Sequence, residues 1–212
     1  VIAKTDPAAK ARGMSMIIAP RETPGLSFTR METLGYRGGD TAEIVFKDVR
    51  VPVTNLVGQE GGALALFQET LKIDRLQIAA RSLGAAAGAV ALTIEHCRNR
   101  RMFGQRLVDM QNTQFVLAGL ETEVAVGYAF LEKLVGKYLD GTFTDDDGAM
   151  AKIWLPELEG RVLVACMQLW GSHGWMVKAP IWRMFTAARA QRIQAGATEL
   201  MKSLLGRRYL KS

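Results

Sequence analysis

The sequence predicts a mainly α chain, an antiparallel four-helix bundle preceded by the truncated end of an antiparallel β domain. Two observations carry that expectation. The early residues alternate as strands do and are broken by turn-forming pairs, whereas from about residue 63 apolar residues recur at spacings of three and four. The stretch Gly58-Gln59-Glu60-Gly61-Gly62 separates the two regimes. The expected division is therefore a partial β domain over 1–55 and a helical bundle over 56–212.

In the first part, Met14 to Ala19 is a compact apolar run, and Thr41 to Val49 sets Ala42, Ile44 and Phe46 against Glu43, Val45 and Lys47. Pro24-Gly25 and Gly38-Gly39-Asp40 supply turns between them. A few strands with one buried face need further strands to cover the face and edges. The opening, Val1-Ile2-Ala3-Lys4, reads as a chain entered partway through such a domain.

The first helix is expected from Ala63 to Cys97 with two apolar stripes. One is Leu64, Phe67, Leu71 and Ile78; the other is Leu76, Ala80, Leu83, Ala87, Val90 and Ile94. Two stripes place this helix in the middle of the bundle. A second helix, Gln111 to Tyr138, carries Leu117, Leu120, Val124, Gly127, Leu131, Leu134 and Tyr138 as an antiparallel seam. Asp140-Gly141 ends it. Thr144 followed by Asp145, Asp146 and Asp147 has the form of an N-cap with acids in the first turn. The third helix follows with Leu155, Leu158, Val162, Ala165 and Leu169 on one face, and Pro156 should kink it or mark a late start. Two shorter helices, Pro180 to Ile193 and Thr198 to Arg208, close the chain.

Composition narrows the class. Hydrophobic residues make up 49% of the chain, which excludes a disordered tail. The longest apolar stretches are interrupted by Arg81 or fall short of a bilayer, so no transmembrane helix is expected. Cys97 and Cys166 have no spacing suited to a disulfide framework or a zinc site; no metal is expected, and a reducing, cytoplasmic setting fits. The net charge of +6 is spread through the helices, which suits a phosphate-bearing cofactor as well as nucleic acid.

Four features could carry chemistry. Asp74 falls at the offset where the first stripe calls for leucine, with no Lys or Arg three or four residues away. Buried there, a carboxylate becomes a better general base near neutral pH. The other reading is a residue rotated to the domain surface or salt-bridged to another helix. Arg98-Asn99-Arg100-Arg101-Met102-Phe103-Gly104-Gln105 gathers cations at a helix C-terminus, where capping alone could explain them. Gly171-Ser172-His173-Gly174 would let a ligand approach backbone amides, or simply join two helices. Ile193-Gln194-Ala195-Gly196-Ala197-Thr198-Glu199 is a break of small residues that feeds a helix N-terminus.

In order and spacing these segments resemble the rear part of the acyl-CoA dehydrogenase family of flavoenzymes, over essentially the whole chain. Ala3-Lys4-Thr5-Asp6-Pro7, Thr23-Pro24-Gly25, Gly35-Tyr36-Arg37-Gly38-Gly39-Asp40-Thr41 and Phe46-Lys47-Asp48-Val49-Arg50-Val51-Pro52 are similar to its middle β domain. Arg100-Arg101-Met102-Phe103-Gly104 is similar to its Arg-x-x-Phe-Gly, and Gln111 to the glutamine that follows. Gln168-Leu169-Trp170-Gly171-Ser172-His173-Gly174-Trp175 resembles Gln-x-x-Gly-Gly-x-Gly-Tyr, with Ser172 in place of one glycine.

The resemblance implies an FAD-dependent α,β-dehydrogenation of an acyl-CoA, with FAD held across a subunit interface of a homodimer or homotetramer and an electron-transfer flavoprotein as acceptor. It implies cofactor contacts at Arg100, Phe103, Gln111, Gln168, Gly171, Ser172, Thr198 and Glu199, and substrate contacts at Arg75, Ala195 and Gly196. Most members carry the catalytic glutamate before the last helix, where this chain has Ala195. A minority, resembling the isovaleryl-CoA and long-chain enzymes, place it on the first bundle helix before an arginine. Here that pair is Asp74-Arg75, so Asp74 is the candidate base. Two rival readings stand beside this one. The first is a non-catalytic partner subunit that completes a neighbour's FAD site; the second, ranked last, is a DNA-associated flavoprotein-like module.

Overall fold

A computed structural model describes residues 1–36 and 38–210, so that Arg37 of the Gly35 to Thr41 stretch lies outside the described residues. The chain divides into two compact units, Val1–Leu71 and Lys72–Ser212. The first five strands occupy the first unit, and the division falls inside the long first helix.

In the first unit, β1 (Ile2–Lys4), β2 (Met14–Ile17) and β5 (Leu56–Val57) form an antiparallel sheet in which Met16 faces both Ile2 and Val57. The buried Ser15 ties it to the loops: its Oγ lies 2.8 Å from Thr5 Oγ1 and accepts the Gly61 N–H at 2.9 Å. A separate ribbon pairs β3 (Leu26–Arg30) with β4 (Ala42–Phe46). Gly25, at φ 90°, starts this ribbon; any side chain there would run into the Lys47 carbonyl. The expected buried face of β4 is open: Ile44 and Phe46 are 46% and 45% exposed, as much as Val45 at 51%. A two-stranded ribbon with no layer packed on it inside its own unit has no inside, so alternation in sequence finds nothing to bury against.

The helical elements are α1 (Ala63–Asn99), α2 (Gln111–Leu139), α3 (Asp145–Trp170), α4 (Pro180–Gln191) and α5 (Thr198–Gly206). A short hairpin, β6 (Arg101–Met102) and β7 (Gln105–Arg106), links the first two. Helix α3 packs against α2, α4 and α5, and Leu155, Leu158, Val162, Leu163 and Cys166 on it are fully buried. The centre of the unit is therefore α3, where the sequence had placed the first helix. α1 contributes one seam, Leu76, Ala79, Leu83, Ala86 and Val90, with Ala87 and Ile94 at its edge. Ala80 is exposed and Ala79 takes its place, because alanine fits either side of a helix and periodicity alone does not choose between neighbours.

Helix α3 starts where its cap dictates. Thr144 Oγ1 accepts the Asp147 N–H at 3.2 Å, and the Asp147 carboxylate accepts the Thr144 N–H at 3.0 Å. Lys137 donates to Asp147 at 2.7 Å. Burial alone would raise the Asp147 carboxyl, but Lys137 and Thr144 outweigh it and hold it below its usual value. Pro156 lies well inside the helix rather than at a late start, since the cap fixes the first turn eleven residues earlier. α1 and α2 are, by length and composition, apolar enough to cross a bilayer, contrary to the expectation drawn from Arg81. Their seams on the helical core take up part of that apolarity, with 44% of the apolar window of α1 and 22% of that of α2 buried.

Candidate functional site

One end of the helical unit holds a pocket of about 400 Å³. It draws Arg100 and His96 from the end of α1, Thr113 from the start of α2, and Gln168, Trp170, Gly171, Ser172 and His173 from the end of α3 and the turn beyond it. Two stretches far apart in the chain, 96–113 and 168–173, thus line one cavity. Gly171 makes the turn at φ 56° and ψ −139°, a backbone region that glycine enters without steric cost, and its N–H returns to the Gln168 carbonyl. The Trp170 indole N–H donates to Thr93 Oγ1 at 3.0 Å, which fixes the ring. His96 stacks on it with centroids 4.3 Å apart and planes within 10°, and His173 meets His96 edge-on at 5.9 Å. Burial, then the neighbouring His173 and Arg100, push the His96 imidazole below its usual value. Arg100 makes no ion pair, and no carboxylate lines the pocket, among the described residues. Positive charge without a counter-charge, an aromatic wall and hydroxyl donors suit an anionic ligand with a ring system. Those are the features of an FAD diphosphate and its attached rings, so the residues present fit that group.

Of the other expected cofactor residues, Phe103 stands at the tip of the β6–β7 hairpin and is 87% exposed. Phe103 and Gly104 have φ of 52° and 78°, the two positive values that a tight two-residue hairpin requires. A bulky residue there is a backbone outlier, held so that the ring projects outward. Gln111 is exposed at the first turn of α2, next to the pocket-lining Asn112 and Thr113. Thr198 and Glu199 open α5: Thr198 is buried and donates to Glu157 Oε1 at 3.2 Å, whereas Glu199 is exposed. Just before them Ala195 and Gly196 take φ of 52° and 101° in a half-buried turn. Neither these four nor Asp74 and Arg75 line the pocket.

Asp74 is exposed, contrary to burial on an apolar stripe; its neighbour Arg75 is the buried one, at 7%. The inward face of α1 in this unit runs through Arg75, Ala79, Ser82 and Ala86, so Asp74 turns outward by the one-residue rotation of a helix.

Residues 61–210 match the sequence profile described as the acyl-CoA dehydrogenase C-terminal domain. The chain belongs to the acyl-CoA dehydrogenase family. It is 32% identical, over all of its own length and 54% of the relative's, to acryloyl-CoA reductase (NADH) of Anaerotignum propionicum. To the mitochondrial long-chain specific acyl-CoA dehydrogenase of Rattus norvegicus it is 31% identical over 99% of its length and 50% of the relative's. A solved acyl-CoA dehydrogenase from Geobacillus kaustophilus superposes with a TM-score of 0.94 at 35% identity, covering 99% of this chain and 56% of that one. The chain spans about half the length of the curated relatives it matches.

In this acyl-CoA dehydrogenase family member the sequence also hid two buried charges on α3. Lys152 is fully buried, with no hydrogen-bond partner for Nζ among the described residues; burial and the nearby Arg75 lower it to about 8, against a weaker pull from Glu157. Glu159 is 2% exposed, and burial raises it to about 7, against Ser82, Arg81 and Arg192. The reasoning applied to Asp74 would have found both. Lys152, Leu155, Glu159, Val162 and Cys166 form one alternating three-and-four seam, with charges where apolar residues are expected. His96 and Trp170 carried no such signal, because aromatic residues fit a core seam.

Proposed function

We propose that the protein is an FAD-dependent acyl-CoA dehydrogenase that converts an acyl-CoA thioester to the 2-enoyl-CoA. The observation that carries this reading is the pocket that joins Arg100 to the Gln168–Ser172 turn, the two segments that the family resemblance assigns to the cofactor. Arg100 pairs with the diphosphate, Gln168, Gly171 and Ser172 hold the adjoining part of the cofactor, and Phe103 and Gln111 contact it from the hairpin and the α2 start. Bound FAD supplies the acceptor for the β-hydride. Asp74 takes the α-proton of the thioester at its carboxylate, and Arg75 with the Ala195-Gly196 backbone positions the acyl-CoA beside it. Thr198 and Glu199 face the cofactor's ribose or adenine. A homodimer or homotetramer completes the site, an electron-transfer flavoprotein removes the electrons, and the setting is cytoplasmic.

The test is flavin bleaching by the full-length protein on addition of a saturated acyl-CoA. Asp74→Asn should abolish bleaching with FAD still bound; bleaching at the wild-type rate in that variant removes Asp74 from the mechanism.

One observation favours a second reading. Ala195 offers no acid at the position most members use, and Asp74 is one methylene shorter than glutamate. A misplacement of about 1 Å can cost about a hundredfold in rate. On this reading the chain is a non-catalytic subunit that completes a partner's FAD site through Arg100 and the Gln168 turn. Retention of FAD without bleaching by any acyl-CoA supports it.

A further inference from the structure

We propose that His96 and His173 form, with Arg100, a proton-coupled seat for a diphosphate, so that the ligand binds together with protons. The idea rests on the FAD reading only for the name of the natural ligand.

The geometry provides the parts. Both imidazoles line the pocket that Arg100 enters, and they touch each other edge-on at 5.9 Å. His96 Nε2 is buried without a hydrogen-bond partner among the described residues, an orphaned polar atom of the kind a ligand satisfies. Trp170 backs the ring at 4.3 Å and is itself anchored to Thr93, so His96 cannot easily swing away.

The charges around this pair decide its response. Arg100 follows directly on α1, with Glu95 on the exposed side of that helix; from the turn after α3 comes His173. α2 contributes Asn112 and Thr113, which carry no charge, and just before α2 Asp109 is engaged by Arg106 at 2.7 Å. The pocket therefore presents cations and no carboxylate to His96, which disfavours its imidazolium while the pocket is empty. A diphosphate reverses the sign of that environment. Each imidazole can then take a proton and donate to a phosphate oxygen, and thermodynamic linkage requires affinity to rise as pH falls.

His96 and His173 are the two histidines of the chain, so both can be followed without ambiguity by their ring-proton NMR signals. The 212-residue chain is titrated with inorganic pyrophosphate and with ADP at pH 6 and pH 8 by calorimetry, each in two buffers of different ionisation enthalpy. The expected result is net proton uptake, affinity at least about fivefold tighter at pH 6, and an upward move of both imidazole titrations on saturation. His173→Asn, a change in the exposed turn, should remove about half of the uptake, and His96→Tyr with His173→Asn should leave affinity flat with pH. Separate titrations with FAD and coenzyme A distinguish the two sources of a diphosphate; the one that binds tighter with proton uptake is the ligand of the seat.

No pyrophosphate or ADP binding at millimolar concentration overturns the proposal, as does binding without proton uptake. FAD binding by the full-length protein that is flat from pH 6 to pH 8 overturns the seat and leaves the FAD reading intact. Proton-coupled pyrophosphate binding with no FAD binding does the reverse.

Discussion

Replacing Lys152 by Met should stabilise the protein at neutral pH. The ammonium is fully buried, lacks a hydrogen-bond partner among the described residues and faces Arg75, and its value is lowered from 10.5 to about 8. In the unfolded chain the amine holds its proton up to about pH 10.4; in the folded chain it lets go near 8. Between those values the unfolded state binds more protons, so this residue makes stability rise with pH from about 8 upward, and below 8 its full penalty is present. A depression of that size corresponds to about 3 kcal/mol at about 1.36 kcal/mol per pH unit. Methionine keeps a long unbranched stem and removes the charge. Lys152→Met should therefore gain about 1 to 3 kcal/mol at pH 7, a midpoint rise of several degrees for a chain of this size. The assay is urea denaturation of both proteins at pH 7 and pH 9.5, compared as a difference so that other titrating groups cancel. The gain should shrink at the higher pH. A loss of more than about 1 kcal/mol at pH 7 would refute the reasoning, because it would mean that an anion pairs with Lys152 in the folded state.

Glu159 titrates the other way: its folded value near 7 exceeds the ordinary 4.5, so stability falls as pH rises through that interval, by up to about 3 kcal/mol. Glu159→Gln should flatten that decline between pH 5 and pH 8 in thermal melts. Phe103→Gly relieves a positive φ and should hold or raise thermal stability by about 1 kcal/mol while weakening FAD binding in the full-length protein, read by flavin fluorescence. Gly127→Ala would put a methyl 2.7 Å from Leu83 Cδ1 and 3.2 Å from Leu158 Cδ2 in the core, and should cost about 1 to 3 kcal/mol in urea denaturation despite alanine's higher helix propensity.

The helical part was largely legible because its signals are local and redundant. The seam of α2 from Leu117 to Leu134, the Thr144 cap and the Gly171 turn each follow from spacing or from a residue type with one structural use. The structure added the part that spacing could not, that Arg100 and the Gln168 turn line one pocket. What escaped lacks a period. The β6–β7 hairpin is four strand residues around a phenylalanine at positive φ, with no Asn-Gly or Asp-Gly to announce it. β4 alternates in sequence but has no layer to alternate against within its unit. Asp74 and Arg75 are adjacent, and a rotation of 100° about the helix axis decides which is buried; the flanking apolar residues allow either.

That ambiguity makes the position of the base the decisive question. Asp74 lies on the outward side of α1, and Ala195 occupies the turn before α5 with φ 52°. The backbone there already holds a non-glycine residue in the left-handed region, so glutamate meets little strain that alanine does not. The turn is half-buried, and a glutamate can extend from it without displacing a packed side chain of the core. If the protein is a dehydrogenase whose base migrated to α1, then Asp74→Asn should abolish flavin bleaching in the full-length protein, and adding Ala195→Glu should restore a measurable fraction, at least about tenfold above the single variant. Recovery would show that substrate and flavin are seated for proton abstraction and that only the carboxylate had moved. Loss in the single variant without recovery in the double would tie the chemistry to the geometry of Asp74 itself. Ala195→Glu that creates bleaching in a wild-type background with none would show a site built for the reaction and lacking its base, and would decide for the non-catalytic subunit.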